Sequence, residues 1–173
     1  MESFSSMLKG GTPRTLGRVS EVVEVLKEDG GRFDELVNCL NSADRLVKLR
    51  AADALEKFCR KHPEKLNGYR DLFLANMDQW ADEGYIMMSL PLLLRYISWQ
   101  GNELWLVKDR LMKWLGTYPD KFVKVMCIQA LADLAVQHVE IQEEVKYLVQ
   151  QHLETGSASM KARCRKLWKK LGE

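Results

Sequence analysis

The chain contains little proline and no surplus of charge of either sign. Only 4 of its 173 residues are proline, and 26 basic against 24 acidic side chains leave a net charge of +2. Scarce proline permits long uninterrupted helices. A dedicated polyanion-binding domain usually carries a strong basic excess, which this chain lacks. A local basic patch stays compatible with the overall balance.

Long apolar runs are also missing. The most apolar stretch, residues 85–99, is too short to span a bilayer and is interrupted by Ser89, Pro91 and Arg95. The first residues, MESFSSMLKGGTPR, lack the apolar core and cleavage site of a secretory signal peptide. The sequence therefore predicts a cytoplasmic protein that has no membrane partner.

Paired cysteines and catalytic motifs are absent as well. The four cysteines stand singly in apolar helical patterns, without a C-x-x-C pair or a histidine at metal-ligand spacing: Cys39, Cys59, Cys127 and Cys164. They are predicted to be buried free thiols in a reducing compartment. The chain has no H-E-x-x-H, G-x-S-x-G, P-loop or G-x-G-x-x-G motif. We therefore predict no enzyme activity, no catalytic residue, no metal site and no cofactor.

What the chain does contain is an internal repeat. VKLRAADAL at residues 47–55 returns as VKVMCIQAL at 123–131, and weaker copies open at Tyr85 and Met160. The offsets are 38, 38 and 37 residues. Each copy carries apolar residues at helical spacing, other amphipathic segments lie between the copies, and no segment alternates with period two. This pattern predicts an all-α fold without a sheet: about nine helices stacked as a right-handed α-α superhelix, or α-solenoid.

The predicted organisation has three parts. Residues 1–14 form a flexible N-terminus, residues 15–31 a capping helix, and residues 32–173 four helix pairs in one domain. Within the pairs, the pattern V-[RK]-x-x-A-A-x-A-L after an Asp-containing turn resembles the HEAT repeat of armadillo-like proteins, with its best copies at 43–55 and 120–131. The resemblance covers 32–171 and is closest to small stand-alone bacterial HEAT-like proteins. It implies a curved binding scaffold without chemistry of its own.

The resemblance also implies a binding surface, because the second helix of each HEAT pair lines the concave side. On the helix at 47–61 this side is polar, but on the helices predicted at 85–98 and 123–137 it is apolar. We expect a groove with apolar anchors at Met87, Pro91, Leu94, Val125 and Ala132. We expect its polar rim at Asp53, Glu56, Arg60 and Arg95. Curvature of the array, a self-dimer, or an amphipathic helix of another protein are the three possible covers for the apolar strip.

Pro91 leaves the second copy of the repeat with two interpretations. A proline inside a helix spanning 85–98 would free a backbone carbonyl and bend the axis. Alternatively, the helix starts later with Ser89 as its cap, and residues 85–88 form a loop or turn.

The C-terminal segment carries six basic residues around an apolar stripe: Lys161, Arg163, Arg165, Lys166, Lys169 and Lys170. One interpretation is the soluble outer face of a terminal repeat. The other is an anion-binding surface for nucleic acid or an acidic protein. We predict protein binding as the function and nucleic-acid binding as the alternative. A HEAT-like DNA glycosylase, with Asp53 and tryptophans on a basic face, is a distant third.

Overall fold

The computed structural model describes residues 1–172, and all of their regular elements are helical. The all-α prediction is confirmed. The α-helices are α1 (Phe4–Leu8), α2 (Val19–Glu28), α3 (Phe33–Asn38), α4 (Arg45–Cys59), α5 (Arg70–Glu83), α6 (Leu90–Leu94), α7 (Asn102–Thr117), α8 (Lys121–Gln137), α9 (Gln142–Thr155) and α10 (Ala158–Gly172). Short 3-10 segments cover Gly30–Arg32, Cys39–Asn41, Pro63–Tyr69 and Val139–Ile141. Within residues 1–172, none of the helices has the length and apolar character needed to cross a bilayer.

The helices form two compact units, one ending at Ile97 and the other beginning at Ser98. This differs from the single domain predicted for residues 32–173. The segment predicted as a flexible N-terminus contains α1, whose Phe4, Met7 and Leu8 are buried. These three residues are spaced i, i+3, i+4, which places them on one helix face that can pack on a core.

Helix α4 forms the centre of the first unit and packs against α1, α2, α3 and α6. The apolar stripe predicted for this helix is fully buried: Val47, Ala51, Ala54, Leu55 and Phe58. The alanines leave room for neighbouring helices to approach closely, because they carry no side-chain atoms beyond the methyl group. The repeated motif is therefore a core-packing pattern in this unit.

The best copies of the motif begin with the same N-terminal cap. The Asp44 carboxylate accepts the backbone N–H of Leu46 at 2.8 Å, and the Asp120 carboxylate accepts that of Phe122 at 2.7 Å. A side-chain oxygen in this position satisfies donors that the first helical turn leaves free. In the last copy the Ser157 hydroxyl accepts the backbone N–H of Met160 at 3.3 Å.

The second copy, which opens at Tyr85, departs from the repeat. Residues 85–89 are turns rather than helix, and α6 is only five residues long. Pro91 lies in its first turn, where the missing N–H costs no helical hydrogen bond. The helix therefore starts late, as in the second interpretation. Ser89 occupies the cap position but makes no side-chain cap bond.

The second unit contains two helix pairs. Helix α7 packs on α8, α9 packs on α10, and α8 also packs on α10. Residues Gln129 and Asp133 of α8 contact Arg163 and Lys170 of α10 in the same order along the chain. Because of this order, α8 and α10 run in the same direction. Within this unit the second helices of successive pairs thus lie side by side and parallel.

Candidate functional site

The five apolar residues predicted as exposed groove anchors are buried: Met87, Pro91, Leu94, Val125 and Ala132. Met87 is 1% exposed, and Leu94 and Ala132 are 0% exposed. Side chains so enclosed cannot contact a partner without unfolding of their surroundings. They are core residues, which corrects the predicted partner contacts at these positions.

The anchors of the second copy are buried for a local reason, and those of the third copy are buried because of helix packing. The expected apolar strip assumed a continuous helix over 85–98, but the chain turns at 85–89, so Met87 and Leu94 do not share a helix face. Helix α8 packs against α7, α9 and α10 within its own unit, which covers it on several sides. A helix that is apolar all round is expected in such a position.

Three of the four predicted rim residues, Glu56, Arg60 and Arg95, come together around the buried Glu56 carboxylate. Glu56 is 2% exposed and accepts from the Arg60 guanidinium at 2.6 and 3.0 Å. Arg95 Nη2 and the Tyr96 hydroxyl donate to the same Glu56 oxygen at 3.2 and 3.1 Å. The hydrogen bond to Glu56 raises the pKa of Arg60. The cluster fastens the end of α6 to α4, because its members come from both segments.

Asp53, the remaining rim residue, lies beside an open apolar pocket. Its carboxylate pairs with Lys57 at 2.8 Å, one helical turn along α4. We name the pocket after Met88 and define it by its lining: Pro13, Leu16, Leu49, Asp53, Tyr85, Ile86, Met88 and Ser89. Its volume is about 220 Å³. Three of its apolar side chains are substantially exposed, namely Leu16 (54%), Met88 (46%) and Tyr85 (41%).

The sequence gives only a partial signal for this Met88 pocket. Met88 and Tyr85 lie in the degenerate repeat, where the sequence predicts an apolar surface. Because residues 85–89 form turns instead of a helix, Met88 is exposed, whereas the predicted anchor Met87 is buried. Leu16 belongs to a segment more than thirty residues away in sequence from Leu49. No local pattern predicts that these segments meet.

A buried arginine holds the N-terminal wall of the pocket in place. Arg50 is 1% exposed, and its guanidinium donates to the carbonyl oxygens of Leu8 (2.7 Å), Gly10 (2.6 Å), Thr12 (3.2 Å) and Thr15 (3.2 Å). The five N–H groups of arginine can serve several acceptors at once. The segment at residues 9–17, which we call the strap, therefore wraps around this side chain. Because Pro13 and Leu16 belong to the strap, Arg50 positions two lining residues of the Met88 pocket.

The six basic residues of α10 separate into two groups. Arg163 donates to the Gln129 side chain at 2.7 Å, and Lys170 pairs with Asp133 at 2.6 Å. These two residues hold α10 against α8. Of the other four, Lys161, Arg165 and Lys169 are spaced i, i+4, i+8 on one helix face and form what we call the outer cation row, whereas Lys166 lies one turn before Lys170, toward α8. Lys161 is half-buried and the other three of these four are exposed, and none of the four lies within ion-pair distance of a carboxylate among residues 1–172.

The four cysteines are buried free thiols, as predicted. Burial raises the pKa of Cys39 and Cys164 to about 11 and that of Cys59 and Cys127 to about 12. At neutral pH these groups are protonated, and the thiol is a poor nucleophile and metal ligand. No cluster of three or more His, Cys, Asp or Glu side chains suited to a metal ion occurs within residues 1–172.

Comparison of the chain with family models, with curated proteins and with solved structures finds no match.

Proposed function

We propose that this protein is a non-enzymatic binding scaffold that holds an amphipathic helix of another protein through the Met88 pocket. The observation that supports the proposal is the cluster of Leu16, Tyr85 and Met88 around one cavity, each more than two-fifths exposed. Apolar side chains gathered at an open cavity are typical of interaction sites, whereas isolated exposed ones are ordinary.

The size of the pocket favours a side chain over a small molecule. Its volume of about 220 Å³ is below the roughly 300–1,000 Å³ of most small-molecule sites. A single large apolar side chain from a partner helix suits it better. Methionine adapts its shape to varied partners, and Asp53 at the edge offers an acceptor that would orient a donor on the same helix.

The repeat architecture supports the scaffold part of the proposal. Side chains about one repeat apart pair within each unit: Lys48 with Glu83 in the first, and Lys108 with Glu144 in the second. These pairs are separated by 35 and 36 residues, close to the repeat offsets in the sequence. Stacked HEAT-like pairs would produce such a register, because each repeat contacts its neighbour. Four protonated, unpaired thiols fit a reducing compartment such as the cytoplasm.

Selection of displayed amphipathic helices tests the proposal. A phage library of helical peptides would be selected on the folded protein, and each enriched peptide tested against Met88→Asp and Val139→Asp. Val139 is a matched control, because it is 79% exposed and lies in the other unit. Loss of about 2 kcal/mol or more of binding free energy, roughly thirtyfold in affinity, is expected for Met88→Asp alone.

Two outcomes would contradict this assignment. Selected peptides that bind both variants equally well would place the site elsewhere. A concentration-dependent dimer of the wild type that Met88→Asp dissociates would make a second copy of the chain the occupant. Circular dichroism melting of both variants must show an intact fold for either comparison to count.

A further inference from the structure

Beyond protein binding, a second surface of the molecule carries its own chemistry. The outer cation row lies on α10, and Lys161, Arg165 and Lys169 are spaced i, i+4, i+8. Residues at this spacing share one helix face and rise about 6 Å from one to the next. The apolar face of the same helix is buried through Met160, Cys164, Leu167 and Leu171.

An exposed indole accompanies the row. Trp168 lies three residues after Arg165 and seven after Lys161, so it borders the row on the same flank of α10. Its side chain is 43% exposed and, together with Lys146, Leu171 and Gly172, lines a cavity of about 150 Å³. An aromatic face beside several cations is the combination that binds unpaired bases and their phosphates.

Two basic residues on the opposite flank of α10 have structural partners that the outer cation row lacks. Arg163 and Lys170 contact Gln129 and Asp133 of α8, so the charges needed to dock this helix are already used there. The outer cation row has no such partner within residues 1–172. Cations that lack a structural role and stand beside an aromatic ring are available to a polyanion.

We propose that this flank of α10 binds single-stranded nucleic acid, with Trp168 stacking on a base and the outer cation row contacting phosphates. A duplex would hide its base faces from the indole, and a membrane would need an exposed apolar helix face that α10 does not offer. An acidic protein would use the cations but gain little from the ring. The surface lies in the second unit, and the proposal is independent of the Met88 pocket.

Salt dependence and stacking give the test two separate measurements. Binding of a fluorescein-labelled oligothymidylate of about 12 nucleotides would be followed by anisotropy. Three phosphate contacts on a single strand predict a log–log salt slope of about −2.1, or roughly an 18-fold loss of affinity between 50 and 200 mM salt. The double variant Arg165→Gln/Lys169→Gln should reduce the slope to about −0.7, or roughly a threefold loss over the same range.

Matched controls are available on the chain. Lys61→Gln/Lys65→Gln removes the same charge from two exposed residues of the first unit and should leave the slope unchanged. Trp168→Leu should weaken binding about 5- to 150-fold at constant salt, whereas Trp105→Leu, at a residue 42% exposed on α7, should not.

Each remaining outcome overturns a defined part of the proposal. Absence of binding at 50 mM salt, or equal salt slopes for both double variants, would remove the nucleic-acid surface. Equal affinity for a duplex of the same length, with no effect of Trp168→Leu, would remove the stacking role. Tighter binding to polyglutamate or to phosphatidylserine vesicles than to the oligonucleotide would assign the row to an acidic protein or a lipid surface instead.

Discussion

Replacing Arg50 by methionine should loosen the strap and lower the stability of the first unit. Methionine fills a similar length of side chain but donates no hydrogen bond, so the carbonyl groups of Leu8, Gly10, Thr12 and Thr15 lose their shared donor. The strap residues are exposed, so water can replace the arginine at most of these oxygens. The Leu8 carbonyl makes a buried bond and is the acceptor most affected.

The expected loss of stability follows from this difference in exposure between the Leu8 carbonyl and the strap carbonyl groups. One buried acceptor left without a donor costs about 1–3 kcal/mol, and the lost bonds from a charged donor add to it. We expect Arg50→Met to reduce the free energy of unfolding by about 2–4 kcal/mol, a range that overlaps the lower part of the roughly 3–5 kcal/mol typical of breaking a buried ion pair. In a chain of this size, each kcal/mol lowers Tm by about 2–4 °C.

Urea unfolding and limited trypsin digestion would measure the two effects separately. Trypsin should cleave after Lys9 and Arg14 in the strap faster in Arg50→Met than in the wild type, because the strap opens more often. Arg45→Met is the control, since Arg45 is an exposed residue of the same helix and loses the same charge. Equal stability and equal cleavage rates for the two variants would show that Arg50 does not hold the strap.

Three further results are expected. Gly156→Ala should destabilise by about 1–3 kcal/mol in urea, since a Cβ there would lie 2.5 Å from a backbone oxygen, whereas Gly116→Ala in open space should stabilise by about 0.5–1 kcal/mol. Val125→Asp should unfold the second unit in circular dichroism, because a carboxylate is forced into a buried place. A hydrogen bond from Arg32 lowers the pKa of Glu35. The ionised Glu35 carboxylate therefore stabilises the fold above its unfolded-state pKa, and this stabilisation is lost as the pH falls and the carboxylate is protonated. Glu35→Gln should lessen the acid sensitivity of the melting temperature, measured by melting at a series of pH values.

Much of the architecture follows from short-range pattern in the sequence. The apolar stripe of α4 and the caps at Asp44 and Asp120 depend on residues a few positions apart. Helical spacing and capping chemistry act over that same distance, so the sequence predicts them well.

The candidate sites depend on contacts that no local pattern contains. Arg50 and Arg163 occupy the same position of the repeat. Arg50 is nevertheless enclosed by backbone carbonyl groups, whereas Arg163 donates to the Gln129 side chain. Periodicity identifies which face of a helix is apolar, but the burial of Val125 depends on packing by other helices. The six basic residues of α10 look alike in sequence, and only the structure divides them into docking and outer groups.

Arg50 also affects how freely the strap can change over evolution. The groups that it binds are mostly main-chain oxygens, which every amino acid provides, so most side chains in residues 9–16 could be exchanged without losing an acceptor. The exceptions are Gly10, Gly11 and Gly17, whose backbone φ is positive; a Cβ at Gly11 or Gly17 would also lie 3.3 or 3.0 Å from the guanidinium. Homologous chains should therefore keep these three glycines together with the arginine, while most other strap residues vary in identity.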